Sequence, residues 1–420
     1  MIMEVKNLTI RYKNNSLPQL SDINFKVDKG QCVVISGKMG SGKSTLFWAI
    51  TKLFSPGTLQ SATGEINVKF PIVLISQRIK SQILTFNVSE ELVTKMSFEN
   101  IDRQQRWHYI RQISKEYNLE NIVNRDMRNL SSGQQQMVII LANLFSTSDK
   151  FIILLDEPLS LLDSSNSFFI LSLLNKLAKK GNTIIIADTR PERYSDLNPT
   201  YYEIKKTKLV PLKNDDPNTI KINNYDVFPQ TEKLKKKSLH LNLEIGYSKS
   251  IQHFKQDISP NGILLVTGVN GSGKTALLLT LAKIIKPYKI LSNKFSFPQS
   301  LYLPQDTFSF FWKESVLKEL EDTFDIDHLP NWIKELSKMS PFLLSEGQRK
   351  KLGLEICFSH EKTLLLDEPT QSLDHESIAW LIKKLEKHSM NNLIVIATND
   401  EWFSKQFQDE VKIINFELGD

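Results

Sequence analysis

A chain of 420 residues is too long for one compact core of ordinary size, so its length predicts two or three domains. With 40% hydrophobic and 24% charged residues, the composition excludes a wholly disordered chain, and the net charge of +6 is too small to require a nucleic-acid partner. The two cysteines, Cys32 and Cys357, lie far apart in apolar segments, which excludes a disulfide framework and fits a reducing compartment.

The N-terminal segment, MIMEVKNLTIRY, lacks a basic region followed by an apolar block, so we expect no signal peptide. The longest apolar runs, such as Phe151–Leu155 and Thr183–Ala187, have the length of strands. None approaches the roughly 20 residues that cross a bilayer. We therefore expect a soluble, cytoplasmic chain that acts at a membrane only through partners.

Four short segments occur twice, in the same order. They are GKMGSGKST (Gly37–Thr45) and GVNGSGKTA (Gly268–Ala276), LISQ (Leu74–Gln77) and YLPQ (Tyr302–Gln305), LSSGQ (Leu130–Gln134) and LSEGQ (Leu344–Gln348), and LLDEP (Leu154–Pro158) and LLDEP (Leu365–Pro369). The chain is therefore predicted to be a duplication. Its parts are a first domain over residues 1–213, a linker over 214–237 that is rich in Pro, Asn and Lys, and a second domain over 238–420.

The second copy is shorter than the first. Lys43 precedes Asp156 by 113 residues, whereas Lys274 precedes Asp367 by only 93. Most of the deficit falls between the glutamine of the second repeated segment and the LSxGQ segment, a distance of 54 residues in the first copy and 40 in the second. We expect the second domain to be trimmed there.

Each glycine-rich segment follows an apolar strand and precedes a helix, which is the context of a phosphate-binding loop. The glycines let backbone N–H groups converge on a phosphate, the lysine adds a positive charge, and the next hydroxyl can bind Mg²⁺. The residues predicted to bind are Gly37, Gly40, Gly42, Lys43, Ser44 and Thr45 in the first copy, and Gly268, Gly271, Gly273, Lys274 and Thr275 in the second.

Two adjacent carboxylates end each LLDEP strand, at the edge where an open α/β sheet binds its ligands. Asp156 and Asp367 are predicted to hold Mg²⁺, mostly through water. Glu157 and Glu368 follow them and are the candidates for the general base that polarises an attacking water.

The LSxGQ segments are predicted to open helices, because apolar residues follow them at helical spacing. Ser131 and Ser345 would stand at the helix N-termini, and Gly133 and Gly347 would allow a close approach of the ligand. Each segment is thus a candidate second anion site.

Together these segments resemble the ATPase domains of ABC proteins over essentially the whole chain apart from the linker. The resemblance implies two tandem α/β nucleotide-binding domains, each with a P-loop NTPase, RecA-like core and a helical subdomain, in an intramolecular head-to-tail pseudo-dimer. It implies ATP and Mg²⁺ as ligands. It also implies that Lys43 works with Ser345 and Gly347, while Lys274 works with Ser131 and Gly133.

The same resemblance implies further contacts with the nucleotide and its metal. Gln77 and Gln305 would contact both, and Tyr12 and Tyr247 stand where the family places an aromatic ring against adenine. For each tyrosine alone, an ordinary position in a strand is the alternative.

The segments that follow the two glutamines, SQRIKSQILTFNVSEEL and LPQDTFSFFWKESVLKEL, resemble the Q-helix of energy-coupling factor (ECF) importers. That resemblance implies integral membrane partners, a coupling T component and a substrate-binding component, docked on residues 78–92 and 306–320 at the inner face of the membrane. Glu90, Glu91, Glu314 and Glu319 are candidates to meet arginines of the T component, or are ordinary exposed helix charges.

Two alternatives to an importer remain open. An ABC exporter would share the same ATPase machinery. A soluble ATPase of the ABC-F kind, which acts on ribosomes, would carry a long helical linker, whereas Pro211, Pro217 and Pro229 here disfavour one.

The family's histidine after the next strand is replaced in both copies. Thr189 and Asn399 occupy its expected place, 33 residues after Asp156 and 32 after Asp367. Neither carries the charge of an imidazolium. Slow hydrolysis on the intact glutamates is one interpretation, and ATP that mainly holds the domains together is the other. We expect weak activity that a membrane partner stimulates, and two unequal sites because Glu346 replaces Ser132.

Overall fold

The computed structural model of the chain contains two compact units, Met1–Ile222 and Asn223–Asp420. The described residues are 1–13, 17–54, 57–77, 79–94, 102–144, 151–212, 239–247, 250–290, 297–321, 324, 329–407 and 411–416. The predicted linker, residues 214–237, lies outside them, and so do the side chains of Ser132 and Tyr247. Among the described residues, no helix combines the length and the apolar character that crossing a bilayer requires.

In the first unit, the described residues form nine strands and five α-helices. The strands are β1 (Met3–Tyr12), β2 (Leu20–Val27), β3 (Cys32–Gly37), β4 (Leu59–Val68), β5 (Ile72–Ile75), β6 (Ile152–Asp156), β7 (Thr183–Ala187), β8 (Thr200–Lys205) and β9 (Lys208–Pro211). The helices are α1 (Lys43–Thr51), α2 (Val88–Val93), α3 (Arg103–Glu116), α4 (Ser132–Leu144) and α5 (Ser164–Lys179).

The central sheet of the first unit has the strand order β5-β6-β7-β3-β8-β9, parallel except for β9. Successive residues of β3 enter different cores, as the pleat of a strand requires. Val33 and Ile35 pack with α1 and a small antiparallel sheet of order β2-β1-β4. Cys32 and Val34 pack with α4 and α5. Because both faces are covered, β6 and β7 are buried along their whole length.

The second unit repeats this plan with eight strands and six α-helices among its described residues. The strands are β10 (Leu239–Tyr247), β11 (Ser250–Ile258), β12 (Gly262–Gly268), β13 (Lys289–Ile290), β14 (Ser300–Leu303), β15 (Thr363–Asp367), β16 (Leu393–Thr398) and β17 (Lys412–Phe416). The helices are α6 (Lys274–Leu281), α7 (Val316–Leu320), α8 (Asn331–Leu336), α9 (Glu346–Ser359), α10 (His375–Ser389) and α11 (Glu401–Ser404).

The central sheet of the second unit is parallel, with the order β14-β15-β16-β12-β17, and a small sheet has the order β11-β10-β13. The prediction of two tandem α/β domains is confirmed. Among the described residues before the LSxGQ segment, α3 of the first unit has 14 residues and α8 of the second has six.

In each unit three adjacent parallel strands carry the predicted functional residues after their carboxyl ends. The strands are β6, β7 and β3 in the first unit and β15, β16 and β12 in the second. The first of each set ends in the Asp–Glu pair, the second precedes Thr189 or Asn399, and the third leads into the glycine loop. The carboxyl ends of parallel strands share one edge, so each unit gathers these groups at a single place.

Both cysteines are free and buried, as expected for structural thiols. Burial raises the pKa of the Cys32 thiol to about 12 and also raises the pKa of Cys357. Neither thiol is therefore a reactive thiolate near neutral pH.

Gly64 of β4 lies opposite an irregular part of β1 and provides a test of the small sheet. Its φ is +103°, and a Cβ there would lie 2.6 Å from the carbonyl oxygens of both Lys6 and Asn7. Rotating a side chain cannot relieve a contact with main-chain atoms. We expect Gly64→Ala to lower the free energy of unfolding by about 2–4 kcal/mol, measured by urea denaturation of the full chain.

Gly262→Ala is the matched control for that prediction. Gly262 has a φ of +101°, but a Cβ there would meet nothing within 4 Å. Only the backbone strain remains, so we expect a loss of about 1 kcal/mol. Equal losses in the two variants would contradict the steric argument for Gly64.

Candidate active site

Each glycine loop holds the ammonium group of its own lysine. Lys43 is the first residue of α1, and its Nζ donates to the carbonyl oxygens of Gly37 and Lys38, at 2.7 and 3.2 Å. Lys274, the first residue of α6, makes the same two contacts at 2.7 and 3.0 Å. Each positive charge is thereby fixed beside a helix N-terminus, where an anionic phosphate is attracted.

The six predicted loop glycines all have positive φ. At Gly37, a Cβ would lie 2.6 Å from Ser41 Oγ and 3.0 Å from the carbonyl oxygen of Ile204, so the loop closes only without a side chain there. Gly42 and Gly273 are the N-caps of α1 and α6, and neither helix has a side-chain hydrogen bond at its cap. The N–H groups of each first turn are therefore suited to an anionic ligand.

Three oxygen-bearing side chains meet in the second unit. Thr275 Oγ1 donates to Asp367 Oδ2 at 2.9 Å, and the Tyr302 hydroxyl donates to the same oxygen at 3.2 Å. Asp367 is only 2% exposed, and burial raises its pKa. A hydroxyl beside a carboxylate fits Mg²⁺, which combines one or two protein ligands with water and phosphate oxygens. Among the described residues, no three His, Cys, Asp or Glu side chains form a metal cage of their own.

The first unit places the equivalent residues at the same edge of its sheet. Ser44 is the second residue of α1, and Asp156 ends β6 with 5% exposure. Gln77 follows β5, and its Nε2 donates to Glu157 Oε2 at 2.9 Å. The glutamine and the candidate general base are thus in direct contact. Gln305 occupies the corresponding position after β14.

Tyr12 lies beside the helix that follows the first glycine loop. Its hydroxyl shares a hydrogen bond of 3.0 Å with Thr45 Oγ1, and its ring packs edge-on against Phe54 with 6.4 Å between centroids. Burial raises the pKa of Tyr12. This position is compatible with the predicted adenine contact, which stays a prediction. The side chain of Tyr247 lies outside the described residues.

The two candidate bases share an uncommon backbone conformation. Glu157 has a φ of 49° and Glu368 a φ of 46°. The N–H group of each donates at 2.8 Å to the carbonyl of the alanine that lies on the neighbouring strand, Ala187 or Ala397. A left-handed residue other than glycine or asparagine is rare and costs about 1–3 kcal/mol. Its occurrence at both equivalent positions associates the strain with the chemistry of the site.

The LSxGQ segments open helices, as predicted. Ser345 caps α9 in a capping box, in which its Oγ accepts from Gln348 N at 3.3 Å while the Gln348 side chain accepts from Ser345 N at 3.0 Å. Ser131 makes the same pair of contacts with Gln134, at 3.2 and 3.1 Å. Gly133 and Gly347, within the first turns, are buried.

The sequence model of the ABC transporter family matches residues 20–160 and 251–371, which is more than half of the chain. The chain belongs to the ABC transporter family. It is therefore an ABC ATPase with two tandem ABC domains, a class that binds ATP and typically uses Mg²⁺.

Relatives extend along almost the whole chain. Two proteins named "Putative ABC transporter ATP-binding protein" match it. The one from Treponema denticola is 26% identical over 96% of this chain and 93% of its own, and the one from Sulfurisphaera tokodaii is 27% identical over 98% and 96%.

Solved structures of tandem ABC proteins share the fold. The archaeal ribosome recycling factor aABCE1, solved in complex with the ribosomal stalk protein aP1, has a TM-score of 0.66 at 18% identity and covers 97% of this chain and 87% of its own. The RNase-L Inhibitor has a TM-score of 0.65 at the same identity and coverage. At this identity the likeness concerns the fold alone.

The two ABC domains hold their candidate bases differently. Whereas Gln77 contacts Glu157, Glu368 accepts from Thr398 Oγ1 at 2.9 Å and from Asn399 N at 3.0 Å. Burial raises the pKa of Glu368 to about 7. The residue that corresponds to Thr398 is Asp188, which is 3% exposed and accepts from the Tyr194 hydroxyl and from Arg190 N. In the first domain the threonine hydroxyl is thus replaced by a carboxyl group that accepts hydrogen bonds from other partners.

The residues at the expected histidine positions lie at the site. Asn399 Nδ2 donates to Asn270 Oδ1 of the second glycine loop at 3.1 Å, while its N–H group contacts Glu368. Thr189 is two residues beyond β7 and 8% exposed. Neither side chain carries a charge, and the effect of this replacement on turnover stays a prediction.

Sequence reasoning missed Tyr302 and Thr398, although one signal was available. Tyr302 takes the place of Leu74 in the repeat, and Thr398 that of Asp188, so each is a polar difference between two aligned copies. Only the structure shows that these differences reach Asp367 and Glu368.

Glu346, which was expected to make the two sites unequal, has a hydrogen-bond partner within its own unit. Gln371 Nε2 donates to Glu346 Oε1 at 3.1 Å. Burial raises the pKa of Glu346, against the opposing influence of Lys350 and Arg349. The carboxylate therefore faces the loop after β15 in its own unit.

The expectation that Glu91 presents its charge to a partner is wrong. Glu91 is 3% exposed, and its Oε2 accepts from Leu84 N, Thr85 N and Thr85 Oγ1 at 3.0, 2.7 and 2.9 Å. These three hydrogen bonds fix the main chain of the loop before α2, and we call this arrangement a clamp. An acidic helix start has the same sequence pattern whether the carboxylate is exposed or folded back.

Glu319 does the same in the second unit, where its Oε1 accepts from Trp312 N at 2.7 Å and from Lys313 N. Glu314 is exposed and pairs with Lys318 one turn along. Of the four glutamates predicted to meet a partner, Glu90 and Glu314 are exposed.

We expect Glu91→Ala to destabilise the first unit by about 1–3 kcal/mol, because it leaves three hydrogen-bond donors without their acceptor. Thermal unfolding of the full chain measures the effect. Glu90→Ala, one residue earlier on the exposed side of α2, is the control and should change stability by less than about 0.5 kcal/mol. A Glu91 variant as stable as the Glu90 variant would refute the clamp.

Proposed function

We propose that this ABC ATPase is the subunit that binds and hydrolyses ATP to energise a membrane transporter, of the ECF importer type, for a vitamin, a metal or another small molecule. One observation carries the proposal. In both units, large apolar side chains are exposed within the segment that follows the repeated glutamine, seven and nine residues beyond Gln77 and seven beyond Gln305.

Exposure at these positions is large. Leu84 and Phe86 are 66% and 69% exposed in the first unit, and Trp312 is 77% exposed in the second. Grouped apolar side chains at a protein surface are typical of docking sites. The clamps formed by Glu91 and Glu319 hold the main chain beneath these side chains, so the surface is ordered before any partner binds.

The position of this surface supports coupling between docking and hydrolysis. The segment begins immediately after Gln77, whose side chain contacts Glu157. A partner that shifts the segment would therefore shift the group that orients the candidate base. We propose that this link makes ATP turnover depend on the transporter subunits.

We propose the following roles in the reaction. Lys43 and Lys274 attract the phosphates, and Glu157 and Glu368 accept the proton of the attacking water. Mg²⁺ would be held by hydroxyl, carboxylate and glutamine oxygens, and when bound it neutralises charge on the phosphate oxygens. Its proposed ligands are Ser44, Gln77 and Asp156 in the first unit and Thr275, Gln305 and Asp367 in the second.

Thr189 and Asn399 supply hydrogen bonds but no positive charge, so we propose slow basal turnover that the membrane partners stimulate. The pairing of each lysine with the LSxGQ segment of the other half, and the adenine contacts of Tyr12 and Tyr247, remain predictions.

We expect Glu157→Gln and Glu368→Gln each to lower ATP turnover, and the double variant to lose about 10²- to 10⁴-fold, because glutamine cannot accept the proton. Phosphate release from the full chain and from the complex with its membrane partners measures this. Glu65→Gln, an exposed change on β4, should leave turnover intact. Unchanged turnover in the double variant would remove both glutamates from the mechanism.

We expect Phe86→Asp and Trp312→Asp to reduce recovery of integral membrane subunits more than about tenfold, because each removes an exposed apolar anchor. The chain is purified from membranes in mild detergent, and the co-purifying subunits and their stimulation of ATP turnover are measured. Phe168→Asp on α5, with 68% exposure, is the matched control. Recovery of ribosomes in place of membrane proteins would overturn the proposal.

A further inference from the structure

The second unit buries a lysine beside its Asp–Glu pair. Lys350 of α9 is 0% exposed, which is rare for a charged side chain. Its Nζ donates to the main-chain oxygens of Pro304, Gln305 and Asp367, at 3.2, 2.8 and 3.4 Å. One ammonium group therefore joins the segment after β14 to the end of β15.

The first unit has a neutral side chain at the same position of its repeat. Gln136, 1% exposed, donates to the carbonyl of Glu157 at 3.4 Å and accepts from Leu161 N at 3.2 Å. Both contacts lie after β6. Both units thus have a buried hydrogen-bonding side chain at this position, but it is neutral in the first unit and positively charged in the second.

The charged residues around Lys350 differ between the repeats. Four carboxylates act on its ammonium group, namely Asp367, Glu346, Glu368 and Asp306. In the first copy, Ser132 stands for Glu346 and Arg78 stands for Asp306. At these three positions the second copy has a buried base and two acids, whereas the first copy has two neutral residues and an arginine. Burial lowers the pKa of Lys350 to about 8, while the carboxylates oppose that shift.

We infer that Lys350 is a positioning residue, which fixes the segment carrying Gln305 against the strand end carrying Asp367 and so sets the spacing of two Mg²⁺ ligands. The inference rests on the proposed function, in which these residues hold the metal of bound ATP. Three hydrogen bonds from one buried cation define the spacing before the ligand arrives, which lowers the ordering cost of binding.

The two sites then differ in what holds the glutamine that precedes the exposed segment. In the first unit the glutamine side chain is engaged with the candidate base, so its position depends on a contact that docking would change. In the second unit the main chain of Gln305 is tied to the strand end. The second site is the one preorganised for Mg²⁺ and nucleotide, and the first is the one that responds to a partner.

The test uses the full chain carrying Lys43→Ala, so that nucleotide binding reports on the second glycine loop. Titration calorimetry with ATP, with Mg²⁺ and with EDTA, compares Lys350 with Lys350→Gln, the residue of the first repeat. We expect Lys350→Gln to weaken Mg·ATP binding about 10- to 100-fold and to change metal-free ATP binding less than about twofold. Lys351→Gln, the same change at the next residue of α9, where the ammonium group faces Trp332 and Trp380, should leave both affinities unchanged.

Two further variants separate positioning from folding. Thermal unfolding is measured for Lys350→Gln and for the double change Lys350→Gln, Glu346→Ser, which introduces the first-unit residues at both positions. The double variant should regain part of the stability, because the summed charge of the two positions is zero again, and should keep the defect in Mg·ATP binding. Equal weakening with and without Mg²⁺, or full recovery of Mg·ATP binding in the double variant, would overturn the inference.

The parent protein distinguishes a failure of the inference from a failure of the proposed function. If the Lys43→Ala chain binds ATP no more tightly with Mg²⁺ than with EDTA, and adding Lys274→Ala changes nothing, the proposed second site is wrong and Lys350 positions nothing there. If the parent shows Mg²⁺-dependent binding that Lys350→Gln preserves, only the role of Lys350 is refuted.

Discussion

In both units the main-chain N–H group of the glutamate after the Asp–Glu strand donates to the carbonyl of an alanine on the neighbouring strand, at 2.8 Å. This hydrogen bond accompanies a left-handed φ at Glu157 and at Glu368. It turns the chain at the carboxyl end of the Asp–Glu strand, beside the end of the neighbouring strand in the sheet. The glycine loop follows the next strand, so the direction of the glutamate relative to the phosphate-binding loop depends on this turn. The turn is the same in both units, which is why differences between the sites arise in side chains.

Those differences form a consistent pattern. In the first unit the candidate base is held by the side chain of Gln77, a residue at the start of the exposed apolar segment. In the second it is held by Thr398 and Asn399, and the glutamine segment is tied down separately by Lys350. Equivalent backbones thus carry different side-chain contacts at the two candidate bases.

Much of the site was predictable because its chemistry is local in sequence. The glycine loops, the Asp–Glu pairs and the serine caps are each only a few residues long. Because they occur twice in the same order, the sequence predicted the tandem fold. Glu91 was misjudged because its partners, Leu84 and Thr85, are defined by how a loop folds back and not by any pattern of residue types. Tyr302, Thr398 and Lys350 act across strands that are distant in the chain, so no spacing rule could assign their contacts. The second copy has 14 fewer residues between its glutamine and its LSxGQ segment, but the lengths of α3 and α8, 14 and six residues, could not be read from that number.

The duplication within one chain has a consequence for how such an ATPase can change over generations. In a symmetric homodimer every substitution appears twice, so a buried lysine suited to one site is imposed on the other. Here Lys350 and Gln136 are separate codons, and each repeat can be selected by itself. A functional difference between the two sites can therefore be encoded in the sequence and inherited. In a symmetric homodimer, such a difference would have to arise at each turnover from the binding of an asymmetric partner.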